Sequence, residues 1–300
     1  MVTKLKLIAL ISAIVLLLLA IWLASNFANF SMKAKMVRVG DIEVGYKEFG
    51  SGQPLVMIIG LGSTMNLWPS KVLNELSKHY RVIVFDNRGM GYTSAPPGNF
   101  SILQFANDTA GFMAALNIKS AYVLGCSMGT CVAQELVLNH PEKVEKLILY
   151  ASYYGGPKSE GLNALMDAND SFFERMSLLG LLIPPGWLLR HPDSLFNLPI
   201  PIEGRPSQAN LERQKEAVKS WKGTYKRLFM INRPTLILAG TNDLITPPKC
   251  SRNLAKLIPG SQFIEVKEGG HGLMYQFPDN FSGIVIGFLE SSGYYQQKRG

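Results

Sequence analysis

The sequence predicts an α/β fold in which a mostly parallel sheet is flanked by helices, with an inserted helical cap and an N-terminal transmembrane or signal-anchor helix. Three observations lead to this prediction. Short runs rich in β-branched residues alternate with amphipathic segments, as in a parallel sheet covered on both faces. An interval of about 80 residues without a strand pattern is too long for a loop and must carry its own structure. An apolar run near the N-terminus has the length of a membrane span.

The composition is that of a folded globular protein and narrows the possible partners. The chain has 300 residues, 47% hydrophobic and 17% charged, with a formal net charge of +8. Lysines and arginines are scattered and no basic block is interleaved with aromatic residues, so we expect no nucleic-acid partner. The three cysteines form no C-x-x-C pair, which indicates neither a disulfide framework nor a zinc site.

The N-terminal segment, residues 1–30, is the compositional outlier. Leu7–Ala24 reads LIALISAIVLLLLAIWLA, and at a rise of ~1.5 Å per residue it spans roughly 27 Å as a helix, close to the hydrocarbon thickness of a bilayer. It is a membrane segment or a signal peptide. A small-x-small cleavage site is weak around ASNFAN, which favours an uncleaved single-pass anchor over a secreted, cleaved protein.

Residues 36–152 and 234–292 are predicted to form the sheet and its covering helices. The stretch around Gly40 and Asp41 alternates polar and apolar residues, as an antiparallel hairpin does. Nearly continuous apolar runs predict strands that are buried on both faces, at 55–60, 81–86, 121–127, 146–152, 234–240 and 262–267. Ser101 and Gln104 form a capping box at the start of an amphipathic helix.

Residues 153–233 are predicted to form the helical cap. Helix-like pieces broken by proline and glycine fill this interval, and the last helix is predicted to include residues 211–228. On that helix one apolar face is formed by Leu211, Val218, Trp221, Tyr225 and Leu228. The lysines beside this face form a solvated flank, and membrane contact is the alternative.

A candidate nucleophile lies in the stretch Gly125-Cys126-Ser127-Met128-Gly129. It directly follows a strand-like run, and the following residues continue as a helix, so Ser127 lies on a strand-to-helix turn. Such a turn strains the backbone of the nucleophile and tolerates only small neighbours, which explains the two glycines. The helix N-terminus also directs backbone N–H groups towards an oxyanion beside Ser127.

A serine hydroxyl needs a base that takes its proton and a third group that orients the base. Asp243 follows a strand-like run in AGTNDLITPP, and His271 lies in a glycine-rich loop after the last strand. Asp167 and Asp170, at the start of the cap, are alternative acids that nothing in their surroundings supports. Of the remaining histidines, His79 and His140 are expected at the surface. His191 lies in the cap before a proline and is a minor candidate for substrate contact.

These motifs resemble those of the α/β-hydrolase family over about residues 36–290. The resemblance rests on the Gly125–Gly129 turn, FDNRGMGYTS, GTNDLITP and GGHGLMYQFP, all in the family's order. It implies the α/β-hydrolase fold, with Ser127 as nucleophile, Asp243 as acid and His271 as base. It also implies an oxyanion hole formed by the backbone N–H groups of Met128 and Leu61, although Ile59 stands where many members have histidine. Asp86 and Arg88 then belong to a turn scaffold and form an ion pair or a cap, with direct substrate contact as the alternative.

The expected activity is hydrolysis of a carboxylic ester without a metal or cofactor. The apolar cap around Pro184-Pro185 suits a hydrophobic acyl group or a monoacylglycerol-like lipid, with Cys126, Trp187 and Leu188 as pocket residues. Carbon–carbon bond hydrolases and lactonases in the family use the same triad, so these activities stay open. A non-catalytic receptor or scaffold on this fold is the alternative of another class.

Overall fold

The computed structural model describes residues 33–155, 159–167, 180–198 and 207–291. The predicted anchor, Leu7–Ala24, lies outside these ranges. Of the helices within them, none combines the length and the apolar character needed to cross a membrane. Eight strands form one sheet in the order β1-β2-β4-β3-β5-β6-β7-β8. The strands are β1 (Lys35–Val39), β2 (Ile42–Phe49), β3 (Pro54–Ile58), β4 (Arg81–Phe85), β5 (Ala121–Cys126), β6 (Val144–Tyr150), β7 (Thr235–Gly240) and β8 (Gln262–Val266).

The sheet is mostly parallel, as predicted. Strand β1 pairs with β2 in an antiparallel hairpin whose two-residue turn begins at Gly40, with φ +55°, a conformation that glycine adopts at little cost. Strand β2 is also antiparallel to β4, whereas all pairs from β4 to β8 are parallel. The carboxyl ends of β3 to β8 therefore meet at one edge of the sheet, where α/β proteins bind their ligands.

Helices cover both faces of the sheet and create two apolar cores. Alternate residues of β3 point to opposite sides: Val56 and Ile58 pack into one core, and Leu55 and Met57 into the other. Burial of each such side chain contributes about 1.5–3 kcal/mol. The helices that lie wholly within the described ranges are α1 (Ser70–Leu76), α2 (Ile102–Ala115), α3 (Met128–Asn139), α4 (Glu160–Asp167), α5 (Pro185–Arg190), α6 (Gln208–Ser220), α7 (Pro248–Leu257), α8 (Leu273–Gln276) and α9 (Pro278–Glu290).

Helix α2 begins where the sequence predicts. The Ser101 hydroxyl accepts a hydrogen bond from the Gln104 N–H at 3.1 Å, which caps one of the free donors of the first turn. Phe105 and Phe112 on this helix are buried against the sheet.

The interval between β6 and β7 holds helices and turns in its described parts, and it differs from the prediction at one point. The last helix of the cap is not continuous, because α6 ends at Ser220. Gly223 has φ +79°, and a Cβ there would lie 2.3 Å from the Tyr154 carbonyl oxygen, so the chain must turn at a glycine. A 3-10 helix follows, in which Tyr225 is 55% exposed whereas Leu228 is buried.

Candidate active site

Ser127 lies between β5 and α3 in a strained backbone conformation. Its φ of +55° and ψ of −120° are rare for a residue with a side chain. The turn is closed by contacts that only glycine permits. A Cβ at Gly125 would lie 2.4 Å from the Gly129 carbonyl oxygen, and a Cβ at Gly129 would lie 2.1 Å from the Ile58 carbonyl oxygen. The sequence prediction of a strand-to-helix turn at Ser127 is confirmed.

The loop after β3, residues 59–65 and here called the β3 loop, approaches the serine from the side. A Cβ at Gly60 would lie 3.1 Å from the Ser127 Cβ, so the absent side chain at this position allows the close approach. Leu61 follows Gly60 in the wall of the pocket that also contains Ser127 and Met128. The Met128 N–H, at the first position of α3, is one of the donors that a helix leaves without an intrahelical acceptor.

Asp243 and His271 form a buried, hydrogen-bonded pair. The His271 Nδ1 lies 2.9 Å from Asp243 Oδ2 and 3.1 Å from Oδ1. Asp243 Oδ1 also accepts the N–H groups of Ile245 and Thr246 at 2.9 and 2.8 Å, which fixes the carboxylate in a turn. Because Nδ1 faces the carboxylate as a donor, Nε2 is left as the acceptor nitrogen of the neutral ring.

Contacts on both sides hold the loop that carries His271. The buried Tyr150 hydroxyl, whose pKa is raised by burial, donates a hydrogen bond to the His271 carbonyl oxygen. The next N–H, of Gly272, donates to the carbonyl oxygen of Leu182 in the predicted cap, at 2.7 Å. The loop that carries His271 is therefore held by β6 and by the residues between β6 and β7.

The serine and the histidine occupy the same sheet edge without a direct hydrogen bond. Ser127 follows β5 and His271 follows β8, and in the described part of the chain no hydrogen bond joins the serine hydroxyl to the imidazole. Thr246 lies near both residues: it lines the same pocket as Ser127, and its hydroxyl lies 3.2 Å from His271 Nδ1. In ligand-free hydrolases this contact is often long and tightens with bound substrate.

The pocket at Ser127 is almost entirely apolar. Its wall is formed by Leu61, Ser127, Met128, Cys131, Tyr153, Leu162, Leu165, Val218 and Thr246. None of these side chains carries a formal charge at neutral pH, so the pocket suits an uncharged, hydrophobic group. Within the described ranges, no group of three His, Cys, Asp or Glu side chains could hold a metal ion.

The three predicted pocket residues lie outside this wall. Cys126 and Trp187 are buried in the core that contains Leu55 and Met57, and Leu188 packs against that core. Trp187 stacks on the His191 ring with centroids 4.4 Å apart. Burial raises the pKa of the Cys126 thiol well above its usual range, so this neighbour of Ser127 stays a neutral thiol. Substrate contact by these residues stays a prediction.

Other candidates from the sequence have structural partners. Arg88 pairs with Asp41 and Asp108, each at 2.7 Å, and the Asp86 carboxylate accepts the Met65 and Tyr92 N–H groups. These contacts confirm the scaffold role of Asp86 and Arg88.

The alternative bases and acids lie apart from the pocket wall. His79 contacts Glu290 at 3.0 Å, and His140 contacts Asn107 at 2.8 Å. Asp167 is exposed at the end of α4, and Asp170 lies outside the described residues.

The sequence prediction missed one residue that contacts the predicted acid and one that contacts the loop of the predicted base. Thr246 donates its hydroxyl to Asp243 Oδ2 at 2.8 Å, and its position three residues after an aspartate was a usable signal of this turn. Tyr150 gave no signal, because its contact with the His271 carbonyl joins residues that are far apart in the sequence.

Comparisons with known proteins bear on the family and the fold of the chain. A family model described as "alpha/beta hydrolase fold" matches residues 53–278. A protein of Serratia proteamaculans (strain 568), named "Putative carbamate hydrolase RutD", is 28% identical over 247 residues, which cover 78% of this chain and 90% of the relative. The structure of a hydrolase from Pseudomonas aeruginosa PA01 has a TM-score of 0.74 and 27% identity, covering 87% of this chain and 100% of that one. A mutant of CumD, a meta-cleavage product hydrolase from Pseudomonas fluorescens IP01, has a TM-score of 0.74 with 24% identity, over 85% of this chain and 97% of that one.

Proposed function

The chain belongs to the α/β-hydrolase fold family and is a hydrolase, and from this premise we propose that it cleaves carboxylic esters of hydrophobic acyl groups. Ser127 is the nucleophile, His271 the general base and acid, and Asp243 the residue that orients the histidine. The observation that carries the proposal is the strained Ser127 backbone, with φ +55°, on the sheet edge that also carries the Asp243–His271 pair. Strain of this kind is retained where function requires it.

The first half of the reaction acylates the enzyme. The Ser127 oxygen bonds to the ester carbonyl carbon while its proton moves to His271 Nε2, and the carbonyl electron pair moves onto the oxygen. The N–H groups of Leu61 and Met128 stabilise this oxyanion. When the oxyanion collapses, the carbon–oxygen bond to the alcohol breaks and His271 gives its proton to the departing alcohol.

The second half restores the serine with water. His271 takes a proton from a water molecule, whose oxygen bonds to the acyl carbon and forms a second oxyanion in the same hole. Collapse breaks the bond to the Ser127 oxygen, which regains a proton from His271, and the carboxylic acid leaves. No electrons are gained or lost, so these residues and water balance the reaction.

The apolar pocket wall supports a hydrophobic substrate such as an alkyl ester or a monoacylglycerol-like lipid. Leu61, Leu162 and Val218 offer apolar surface beside Ser127, and burial of each methylene of an acyl chain there contributes about 0.8 kcal/mol. The cavity itself is only about 10 Å³, so an acyl chain can bind there only after side chains of the wall move apart.

Carbamates, lactones and vinylogous diketones form the second group of substrates. The 28% identical relative whose name gives it as a carbamate hydrolase favours including carbamates, whose carbonyl carbon the same serine would attack. Lactonase and carbon–carbon bond hydrolase activities remain alternatives because they use the same triad.

A combined labelling and substrate experiment tests the proposal. Wild type should react with a fluorophosphonate probe and hydrolyse p-nitrophenyl esters faster than matched carbamates, lactones and diketones. Cys126→Ala should keep the label, whereas Ser127→Ala should lose it. A folded wild type that neither reacts with the probe nor hydrolyses any of these substrates would contradict the proposal and favour a non-catalytic receptor.

For localisation, we propose that Leu7–Ala24 anchors the protein in a membrane near its lipid-like substrate. Its length and the lysines before it support a spanning helix. The full chain should remain in the membrane pellet after carbonate extraction. A mature N-terminus near Asn29, detected by mass spectrometry, would contradict the anchor and favour a secreted hydrolase.

A further inference from the structure

Hydrogen bonds join the two ends of the β3 loop to the residues that follow β4. At one end the Ile59 carbonyl oxygen accepts a hydrogen bond from Asn87 Nδ2 at 3.2 Å. At the other end the Met65 N–H donates to Asp86 Oδ1 at 2.7 Å. Both partners follow β4, so the stretch after that strand fixes where the loop begins and ends.

The middle of the same loop is tied to helix α6. The Gly62 N–H donates a hydrogen bond to the Gln214 side-chain oxygen at 2.6 Å. Gly62 has φ +67°, and a Cβ there would lie 3.1 Å from Leu211 Cδ1, so α6 also packs directly against the loop. Glycines at 60 and 62 give this stretch unusual conformational freedom, which an external contact can restrict.

Gln214 is placed for this contact at a cost to folding. Its side chain is fully buried, and its Nε2 has no hydrogen-bond partner among the described residues. A buried polar group without a partner lowers stability, and an apolar side chain of the same size would avoid that cost. Compared with an apolar side chain at this position, glutamine adds the hydrogen bond that it accepts from the Gly62 N–H.

We propose that Gln214 is a positioning residue that holds the β3 loop so that the Leu61 N–H can bind the oxyanion. The bond to Gly62 fixes the peptide between Leu61 and Gly62, and thereby restricts the rotation of Leu61. The inference rests on the proposed function, because it assigns the Leu61 N–H to the oxyanion hole. Gln214 itself does not touch the reacting atoms.

Asn210 provides a matched control on the same helix. Its Nδ2 donates to the Gly89 carbonyl oxygen at 3.0 Å, so it too ties α6 to a loop that follows a strand of the sheet. The stretch it reaches contributes no residue to the pocket wall at Ser127, and Asn210→Ala leaves in place the bonds from Asp86 and Asn87 of that stretch to the two ends of the β3 loop. Asn210→Ala therefore loosens the docking of α6 without releasing the Gly62 N–H.

The experiment compares four variants in the full chain with a p-nitrophenyl ester. Gln214→Met and Gln214→Asn both remove the hydrogen bond from Gly62. Methionine lacks the amide oxygen that accepts it, and the asparagine side chain is too short to reach Gly62. Each should lower kcat about 10- to 100-fold with KM changed less than about threefold, because oxyanion stabilisation acts in the transition state. Gln214→Glu retains an acceptor oxygen and should recover kcat to within about fivefold of wild type. Asn210→Ala should keep the wild-type kcat.

Several outcomes would overturn the inference while leaving the proposed function intact. Wild-type kcat in Gln214→Met, or equal kcat losses in Gln214→Asn and Asn210→Ala, would reduce Gln214 to a packing residue. An unchanged kcat with a raised KM would place the effect in substrate binding instead. If Gln214→Met does not fold, Gln214→Asn against Gln214→Glu decides. Loss of the proposed function itself would appear separately, as absent hydrolysis by wild type or retained hydrolysis by Ser127→Ala.

Discussion

The loops at the carboxyl edge of the sheet and helix α6 reach the same pocket in different ways. At Ser127 the residues that permit the geometry lie in one short motif, which contains the two glycines and the strained turn between β5 and α3. At Gly62 the geometry is non-local, because its partner Gln214 is 152 positions away in the sequence. The comparison teaches that short sequence motifs identify the reacting groups. The position of one predicted oxyanion donor, the Leu61 N–H, depends instead on a hydrogen bond from Gly62 to a distant part of the chain.

The largest expected effect is that of replacing the nucleophile, Ser127. Ser127→Ala should lower kcat about 10⁵- to 10⁶-fold, because the nucleophile is lost while the remaining pocket still binds substrate. Steady-state kinetics on a p-nitrophenyl ester, with circular dichroism to verify folding, measures this. Cys126→Ala is the neighbouring control and should retain kcat within about threefold, since its thiol is buried and neutral.

The next effect tests the orienting carboxylate. Asp243→Asn should lower kcat about 10⁴-fold, because an amide in its place favours the wrong histidine tautomer. Asp167→Asn, in an exposed carboxylate at the end of α4, should leave kcat unchanged. The reverse pattern, with a nearly silent Asp243→Asn, would show that the acid comes from the cap.

A pair of identical substitutions separates the tight turn from the rest of the molecule. Gly129→Ala places a Cβ 2.1 Å from the Ile58 carbonyl oxygen, so the free energy of unfolding should fall by about 3 kcal/mol or more. Gly283→Ala lies on α9 with nothing within 4 Å of the added Cβ, and it should raise the free energy of unfolding by about 0.5–1 kcal/mol. Urea denaturation measures both values. If both substitutions changed the free energy of unfolding in the same direction, the steric account of the turn would be contradicted.

The smallest expected loss of stability concerns Asp86, which holds one end of the β3 loop. Burial raises the pKa of Asp86 from 3.8 to about 6. Between these two pH values the carboxyl group is therefore protonated in the folded protein and ionised in the unfolded chain. Asp86 therefore contributes more stability below pH 4, and this contribution is lost as pH rises through about 6. The free energy of unfolding of wild type relative to Asp86→Asn should fall by about 2 kcal/mol between pH 4 and pH 7. A difference that is independent of pH would contradict the raised pKa.

The sequence was sufficient where local backbone geometry determines the residue types. The glycines around Ser127 are required by contacts shorter than a Cβ permits, and the hairpin glycine at 40 by its positive φ, so these motifs are visible in the sequence. Asp243 and His271 were found because both follow strands of one sheet, whose carboxyl ends meet at one edge.

The sequence was insufficient where distant segments meet. Gln214 lies among charged residues of α6, and nothing in that pattern distinguishes it from a solvated side chain. The end of α6 was also mispredicted, because helical spacing continues through Gly223, whereas the close approach of Tyr154 forces a turn there. Both features depend on tertiary contacts that a periodic pattern does not contain.

A trapped acyl-enzyme tests the central claim most directly. Wild type and Ser127→Ala are mixed with a p-nitrophenyl ester, quenched within milliseconds and analysed by intact mass and peptide mapping. The proposed mechanism predicts a burst of about one p-nitrophenol per active site and a mass increase of one acyl group at Ser127, both absent from the variant. Acylation at Cys126 or Cys131, or turnover by wild type without any covalent adduct and without a burst, would contradict it.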